Sequence, residues 1–290
     1  WTMSQASVSS GSGPAAVPRI HMTLKDTDDI PPQVQKVIDS WKTLNPDWKL
    51  VLYNDRECRA FVEAEYPEFL SLYDNVFTAV ERSDIWRYLI IHRFGGLYID
   101  SDVLAVKPIS EWMDVIRDKV GPESMPAPGK MNLLAIEYAR DGIQFSNWWL
   151  YGQRGNSLFY NIVRDIRLRF LLEVAHGSSF GDAVSRTGPE RLTATALTRL
   201  HEHEIEIAEK DWQEGDDATI RCYPAAEICI LGRQYMGIAN DRHDYSERVM
   251  KGLFSKHLFA GSWKMNNRLM EARIALWKLH KKWDQGKVVI

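Results

Sequence analysis

An apolar run, Leu97-Tyr98-Ile99, delivers the triplet Asp100-Ser101-Asp102. Residues two apart on an extended strand point the same way, so both carboxylates can meet one target. Two close carboxylates repel one another unless a cation lies between them or one is protonated. A hard divalent ion with oxygen ligands, Mn²⁺ or Mg²⁺, resolves that repulsion, and such an ion characteristically also holds a substrate phosphate. In an open α/β sheet, ligands collect outside the carboxyl ends of the strands, where this pair falls. Taken alone, a DxD triplet is more often a solvated loop end. The stretch before it carries Asp84, Arg87 and Tyr88 three or four apart, near one helix face. They read as a surface ion pair beside a core aromatic, or as a clamp. In the clamp Arg87 offers its fork of donors to a phosphate and Asp84 takes a sugar hydroxyl.

The elements that must position these groups are legible in the first third of the chain. Pro18–Thr23 reads as a first strand. Pro31-Pro32 opens a helix with Val34, Val37, Ile38 and Trp41 at helical spacing. Asn45-Pro46-Asp47 is a turn, Trp48–Tyr53 a second strand, and a helix follows over Arg56–Tyr66. Thr78–Arg93 is a third helix, ended by Gly95-Gly96 as glycine past a C-terminus should end it. Beyond residue 105 the pattern is less regular. Strands are expected over Met131–Ile136, Thr219–Tyr223 and Glu227–Leu231, and helices over Leu158–Leu172 and Glu190–Leu200. Alternation of this kind predicts an α/β fold with a central, mostly parallel sheet flanked by helices. Residues 1–16, rich in Ser, Gly and Ala, read as a flexible leader or stem remnant, residues 17–265 as one continuous domain, and residues 266–290 as an amphipathic helix.

Composition narrows the function. Lys and Arg total 36 against 39 Asp and Glu, a net charge of −3, which lacks the basic excess of a nucleic-acid binder. No apolar run approaches the ~20 residues of a membrane helix. The three cysteines, Cys58, Cys222 and Cys229, make no disulfide scaffold. Cys222 and Cys229 are close enough to close one small loop, and spacing leaves that open. His201 and His203 could share a strand face toward a metal, but a charged exposed stretch is the simpler account.

Ser83–Tyr88 followed by Gly95–Asp102 resembles the signature of the DxD-containing sugar transferases of glycosyltransferase family 32. That group includes yeast-type initiating α-1,6-mannosyltransferases, and its signature occurs in clostridial glucosylating toxins. Ile20–Thr23, Ser40-Trp41 with Asn45–Trp48, Ser146-Asn147 and Thr187-Gly188-Pro189 resemble further family positions, and Lys256–Lys264 resembles the terminal block in its fungal form. The resemblance implies a GT-A-type nucleotide-sugar-binding fold and a retaining, metal-dependent hexosyltransferase with Mn²⁺ or Mg²⁺. GDP-mannose is the favoured donor, a UDP-hexose the alternative, and the acceptor a glycan or glycolipid.

Carried over by motif, Asp102, Asp100 and His257 would face the metal. Asp84 and Arg87 would grip the donor sugar, and Tyr98 would touch the diphosphate or the sugar. Ser262 and Trp263 would close over the β-phosphate and glycosidic oxygen, while Asn147, Ile20, His21 and Thr23 would line the donor side. Leu24 stands where the family often has a base-stacking tryptophan. The resemblance further implies the Golgi lumen, with membrane attachment only through an N-terminal anchor outside this chain, or the cytoplasm if the source is bacterial. A haloacid-dehalogenase-like phosphatase, with Gly215-Asp216-Asp217 as its later acidic motif, and a non-catalytic nucleotide-sugar binder are the rivals.

Overall fold

The computed structural model describes residues 17–139, 142–177, 181–207, 212, 219–236 and 252–258. The leader, Gly215-Asp216-Asp217, Ser262, Trp263 and the helix expected over residues 266–290 lie outside them.

Strand β1 (Arg19–Thr23) runs parallel between β2 (Lys49–Tyr53) and β3 (Gly96–Ile99). The sheet continues through β7 (Trp149–Gly152), β5 (Asn132–Ala139), β9 (Ile228–Leu231) and β8 (Ile220–Tyr223), in the order β2-β1-β3-β7-β5-β9-β8. The pairings set β2, β1, β3, β5 and β9 in one direction, with β7 and β8 against them. The sheet is therefore largely parallel, and β6 (Ile143–Phe145) pairs antiparallel with β5 at its side. A separate ribbon joins β4 (Val103–Ala105) to β10 (Ser255–His257).

Strand alternation divides the core into two layers. Leu97 and Ile99 point toward α1 (Pro32–Leu44) and α5 (Ile109–Val120), where Trp41, Trp112 and Trp149 are fully buried. Tyr98 points the other way. That layer is built by α2 (Asp55–Glu65), α3 (Pro67–Asn75), α4 (Ala79–Phe94), α6 (Ser157–His176) and α8 (Pro189–Glu202). A short helix, α7 (Ala183–Arg186), precedes α8.

Helix α4 matters most for the site. Thr78 caps it in a reciprocal box: its hydroxyl accepts from Glu81 N at 3.2 Å and its own N–H donates to the Glu81 carboxylate at 2.8 Å. Everything from Asp84 to Ile91 is buried, so the surface ion pair considered for Asp84 and Arg87 is corrected: the pair is interior. Each large apolar side chain buried here contributes roughly 1.5–3 kcal/mol, which offsets the cost of taking those charges inside. Gly95 (φ +67°) and Gly96 (φ +93°) then turn the chain into β3. At Gly96 a Cβ would strike the Arg19 carbonyl oxygen of the neighbouring strand, so any side chain would push β3 off β1.

Two parts of the sequence pattern resolve differently in space. The run expected to end at Tyr66 gives way to a second helix, because Pro67 opens α3 as a first-turn residue. The irregular stretch after residue 105 contains α5, β6, β7 and α7, of which three are too short to show periodicity. Cys222 and Cys229 face each other across β8 and β9 and form a disulfide, while Cys58 is buried and free. Among the described residues, no helix is long and apolar enough to cross a membrane.

Candidate functional site

At the carboxyl end of β3 the chain makes a tight turn. Asp100 N–H donates to the Trp148 carbonyl at 2.9 Å, and Val103 N–H donates back to the Asp100 carbonyl at 3.1 Å. The turn feeds β4, whose Val103 lies opposite His257 of β10, and Leu258 N–H closes on the Asp102 carbonyl at 2.8 Å. Two strand ends far apart in sequence thus bring Asp100, Asp102 and His257 together, with one ligand atom from each all within 4.8 Å of one another. His257 Nε2 sits 3.5 Å from Asp102 Oδ1. Among the described residues no other His, Cys, Asp and Glu group has this compactness. Two carboxylates and one imidazole suit a hard to borderline divalent cation, Mn²⁺ or Mg²⁺, so the donor set fits the ion its motif implies.

Helix α1 braces this turn from below. Trp41 Nε1 donates to the Val103 carbonyl at 2.7 Å, Ala105 N–H donates to Ser40 Oγ at 3.1 Å, and Ile109 N–H donates to Asn45 Oδ1 at 2.8 Å. The Ser-Trp and Asn-Pro-Asp segments therefore act as supports for the strand that leaves the DxD.

Beside the cluster lies the buried pair on α4. Arg87 Nη1 donates to the Asn147 carbonyl at 2.7 Å, and Nη2 lies 3.3 Å from Asp84 Oδ1 and 3.5 Å from Asp100 Oδ1. Its guanidinium stands 4.7 Å over the Tyr98 ring, and Tyr98 hydroxyl donates to Asp100 Oδ1 at 2.6 Å. Asp84 accepts from Asn147 Nδ2 at 2.9 Å and from Thr187 Oγ1 at 2.7 Å. Burial pushes the Asp84 carboxyl up to about 6, against the pull of Arg87 and the Thr187 hydroxyl. For Arg87 burial opposes the charge, yet Asp100, Tyr98 and Asp84 hold it above its ordinary range, so it stays a cation. Burial also raises the Tyr98 phenol, which remains a donor to Asp100.

Asn147, Asp84, Arg87, Tyr98, Asp100, Asp102 and His257 thus form one connected set. Thr23 reaches its edge, with Oγ1 3.5 Å from the Tyr98 hydroxyl. His21 lies one strand repeat further back, wholly buried. It donates Nε2–H to the Gly95 carbonyl at 3.1 Å and places Nδ1 3.3 Å from the Tyr53 hydroxyl. Burial, outweighing the Gly95 hydrogen bond, lowers its pKa to about 4, so it is a neutral strap between β1 and the glycine turn. Ile20 and Leu24 point into the α1/α5 layer. His201 and His203 are exposed at the end of α8. Thr187 is a site residue that the sequence reading left without a role; its place just before Pro189 and a helix start was the available signal.

Residues 31–124 match the family described as "Glycosyltransferase sugar-binding region containing DXD motif". The chain is 27% identical over 269 residues to the initiation-specific alpha-1,6-mannosyltransferase of Candida albicans, covering 82% of this chain and 69% of that protein. It is 41% identical over 90 residues to inositol phosphoceramide mannosyltransferase 3 of Schizosaccharomyces pombe, covering 31% of this chain but only 25% of that protein. Among solved structures, the PaToxG glycosyltransferase superposes with a TM-score of 0.46 at 18% identity, over 63% of this chain and 69% of that one.

Proposed function

We propose that this chain is a glycosyltransferase of the kind that carries a DXD-containing sugar-binding region, and that it moves a hexose from a nucleotide sugar to a hydroxyl of a glycan or glycolipid. Mannose from GDP-mannose is the favoured donor, because the fungal relatives above are named mannosyltransferases; a UDP-hexose is the alternative. The observation that carries the reading is the convergence of Asp100, Asp102 and His257 beside the buried Arg87–Asp84 pair.

Asp100, Asp102 and His257 would hold Mn²⁺ or Mg²⁺, which when bound supplies Lewis-acid neutralisation of a nucleoside diphosphate. The chain's own residues do the rest. Arg87 stays charged at every working pH and adds a fixed positive field where the diphosphate departs. Asp84 Oδ1 faces both Asn147 Nδ2 and Arg87 Nη2, while among the described residues Oδ2 takes only the Thr187 hydroxyl, so Oδ2 is the atom that would accept from a sugar hydroxyl. Tyr98 pins Asp100 so that the carboxylate does not rotate away. In a retaining transfer the C1–O bond to the diphosphate breaks as the acceptor oxygen bonds C1 on the same face. The acceptor proton passes to the departing phosphate oxygen, which removes the need for a separate protein base.

The Cys222–Cys229 disulfide suits an oxidising compartment, and with the fungal relatives it supports the secretory pathway and the Golgi lumen. The test is a panel of nucleotide sugars with and without Mn²⁺, scored for nucleotide release. GDP-mannose should give the fastest release, and chelation should abolish it. Phosphate release from simple monoesters, with every nucleotide sugar inert, would overturn the reading in favour of the phosphatase.

A further inference from the structure

The cation cluster is assembled from two segments joined by the short β4–β10 ribbon. Asp100 and Asp102 leave the central sheet, whereas His257 ends a three-residue strand paired only with β4 among the described residues. Besides that ribbon, Trp148 touches both. The Trp148 carbonyl accepts the Asp100 N–H at 2.9 Å, and the Trp148 ring meets the His257 ring edge to face, with centroids 4.6 Å apart and planes at 62°. The indole is itself fixed from behind, since its Nε1–H donates to Glu137 Oε1 at 3.2 Å. Glu137 in turn accepts from Gln144 Nε2 at 3.3 Å. Its neighbour Asn147 holds Asp84 and Arg87, so two consecutive residues reach both halves of the site.

We propose that Trp148, oriented by Glu137, is the positioning residue that sets the His257 imidazole against Asp102 and so tunes cation affinity. The inference rests on the cation-dependent reading given above. The physical reason is geometric. An imidazole on a short ribbon keeps its ring rotation unless something packs on it, and an edge-on indole removes that freedom without offering a competing ligand. The Nε1–H bond to Glu137 sets the indole rotamer, and removing the acceptor leaves a buried donor unsatisfied. Groups behind metal ligands typically change affinity by about 10–100-fold when removed.

The experiment is Mn²⁺ binding by the full 290-residue chain, followed by electron paramagnetic resonance of free Mn²⁺, with melting temperature measured in parallel. Glu137→Leu removes the acceptor, and Trp148→Phe keeps an aromatic ring but removes the N–H. Each should raise the Mn²⁺ Kd about 10–100-fold. Glu137→Gln keeps a carbonyl oxygen at the same reach and should restore a Kd near that of the unsubstituted chain. If one of the first two fails to fold, the other carries the test. A lower melting temperature with unchanged Mn²⁺ affinity in Glu137→Leu or Trp148→Phe means that the pair only packs, and the inference falls while the sugar-transfer reading stands. No Mn²⁺ binding by the unsubstituted chain removes both.

Discussion

Helix α4 contributes to two buried arginine–carboxylate clusters set one turn apart. In the first, Arg186 donates Nη1 to Glu81 at 2.7 Å and places Nε and Nη2 on Glu173 at 3.0 and 2.7 Å, with Phe77 4.2 Å below its plane. All three nitrogens of that guanidinium donate to a carboxylate, and both acids are buried. In the second, Arg87 has its short bond to a main-chain carbonyl, and its carboxylates stand at 3.3 and 3.5 Å. Asp84 and Asp100 take their short bonds from neutral groups instead: Asn147, Thr187 and Tyr98. Asp100 is 32% exposed, and the cluster opens toward Asp102 and His257. A cluster whose acids both take short bonds from one buried arginine serves the fold. An open one keeps acceptor positions and positive field for a ligand. Composition cannot separate them, because both are one arginine with two acids.

The largest effect that sharpens this contrast is on stability. Arg186→Met strands Glu81 and Glu173 and should cost about 3–5 kcal/mol in urea unfolding. Transfer per folded molecule should fall far less than in the variants of the open cluster. Asp102→Asn should do the reverse. Nucleotide release from the donor should drop at least about a hundredfold, about 2.7 kcal/mol of barrier. Unfolding free energy should stay within about 0.5 kcal/mol, since the side chain is near the surface. Near-normal transfer in a folded Asp102→Asn would falsify the cation role.

Arg87→Lys is the intermediate case. A point charge cannot reach the Asn147 carbonyl, Asp84 and Asp100 together, so kcat/KM should fall about 10–100-fold, between one and two multiples of 1.4 kcal/mol. Equal losses at Arg87→Lys and Arg186→Lys would dissolve the distinction between the clusters.

The smallest effect is in pH. With its carboxyl raised to about 6, Asp84 gains a proton as pH falls through 6, so transfer should decline on that side and level off above it. Stability should move in the opposite sense. The folded chain holds this proton more tightly than the unfolded one, so the group's contribution shrinks as pH rises from about 4 to about 6. A kcat/KM profile flat down to pH 5 would remove Asp84 from donor binding.

The strand, glycine turn and helix around the DxD were readable because each is a local rule: alternation, a cap, a helical repeat. Ser40, Trp41 and Asn45 were visible as a helix face, a turn and matching family positions, but their job of bracing β4 needed the fold. Thr187 was visible as a matching family position without a partner, and Trp148 carried no periodic or motif signal that pointed to His257. Asp84 and Arg87 look equally at home on a surface or in a clamp until five helices and a sheet close around them.

By itself the sequence determined the α/β order of its first hundred residues, the two aspartates at a strand end and the charged helix ahead of them. Those depend on neighbours within a few residues, where backbone geometry acts directly. The family resemblance already implied His257 beside the acids, but only the tertiary structure decided that it reaches them through the β4–β10 ribbon, that Cys222 pairs with Cys229, and that one arginine cluster is closed and the other open. These depend on which distant segments meet, and that is set by the packing of both layers on the sheet rather than by any local repeat.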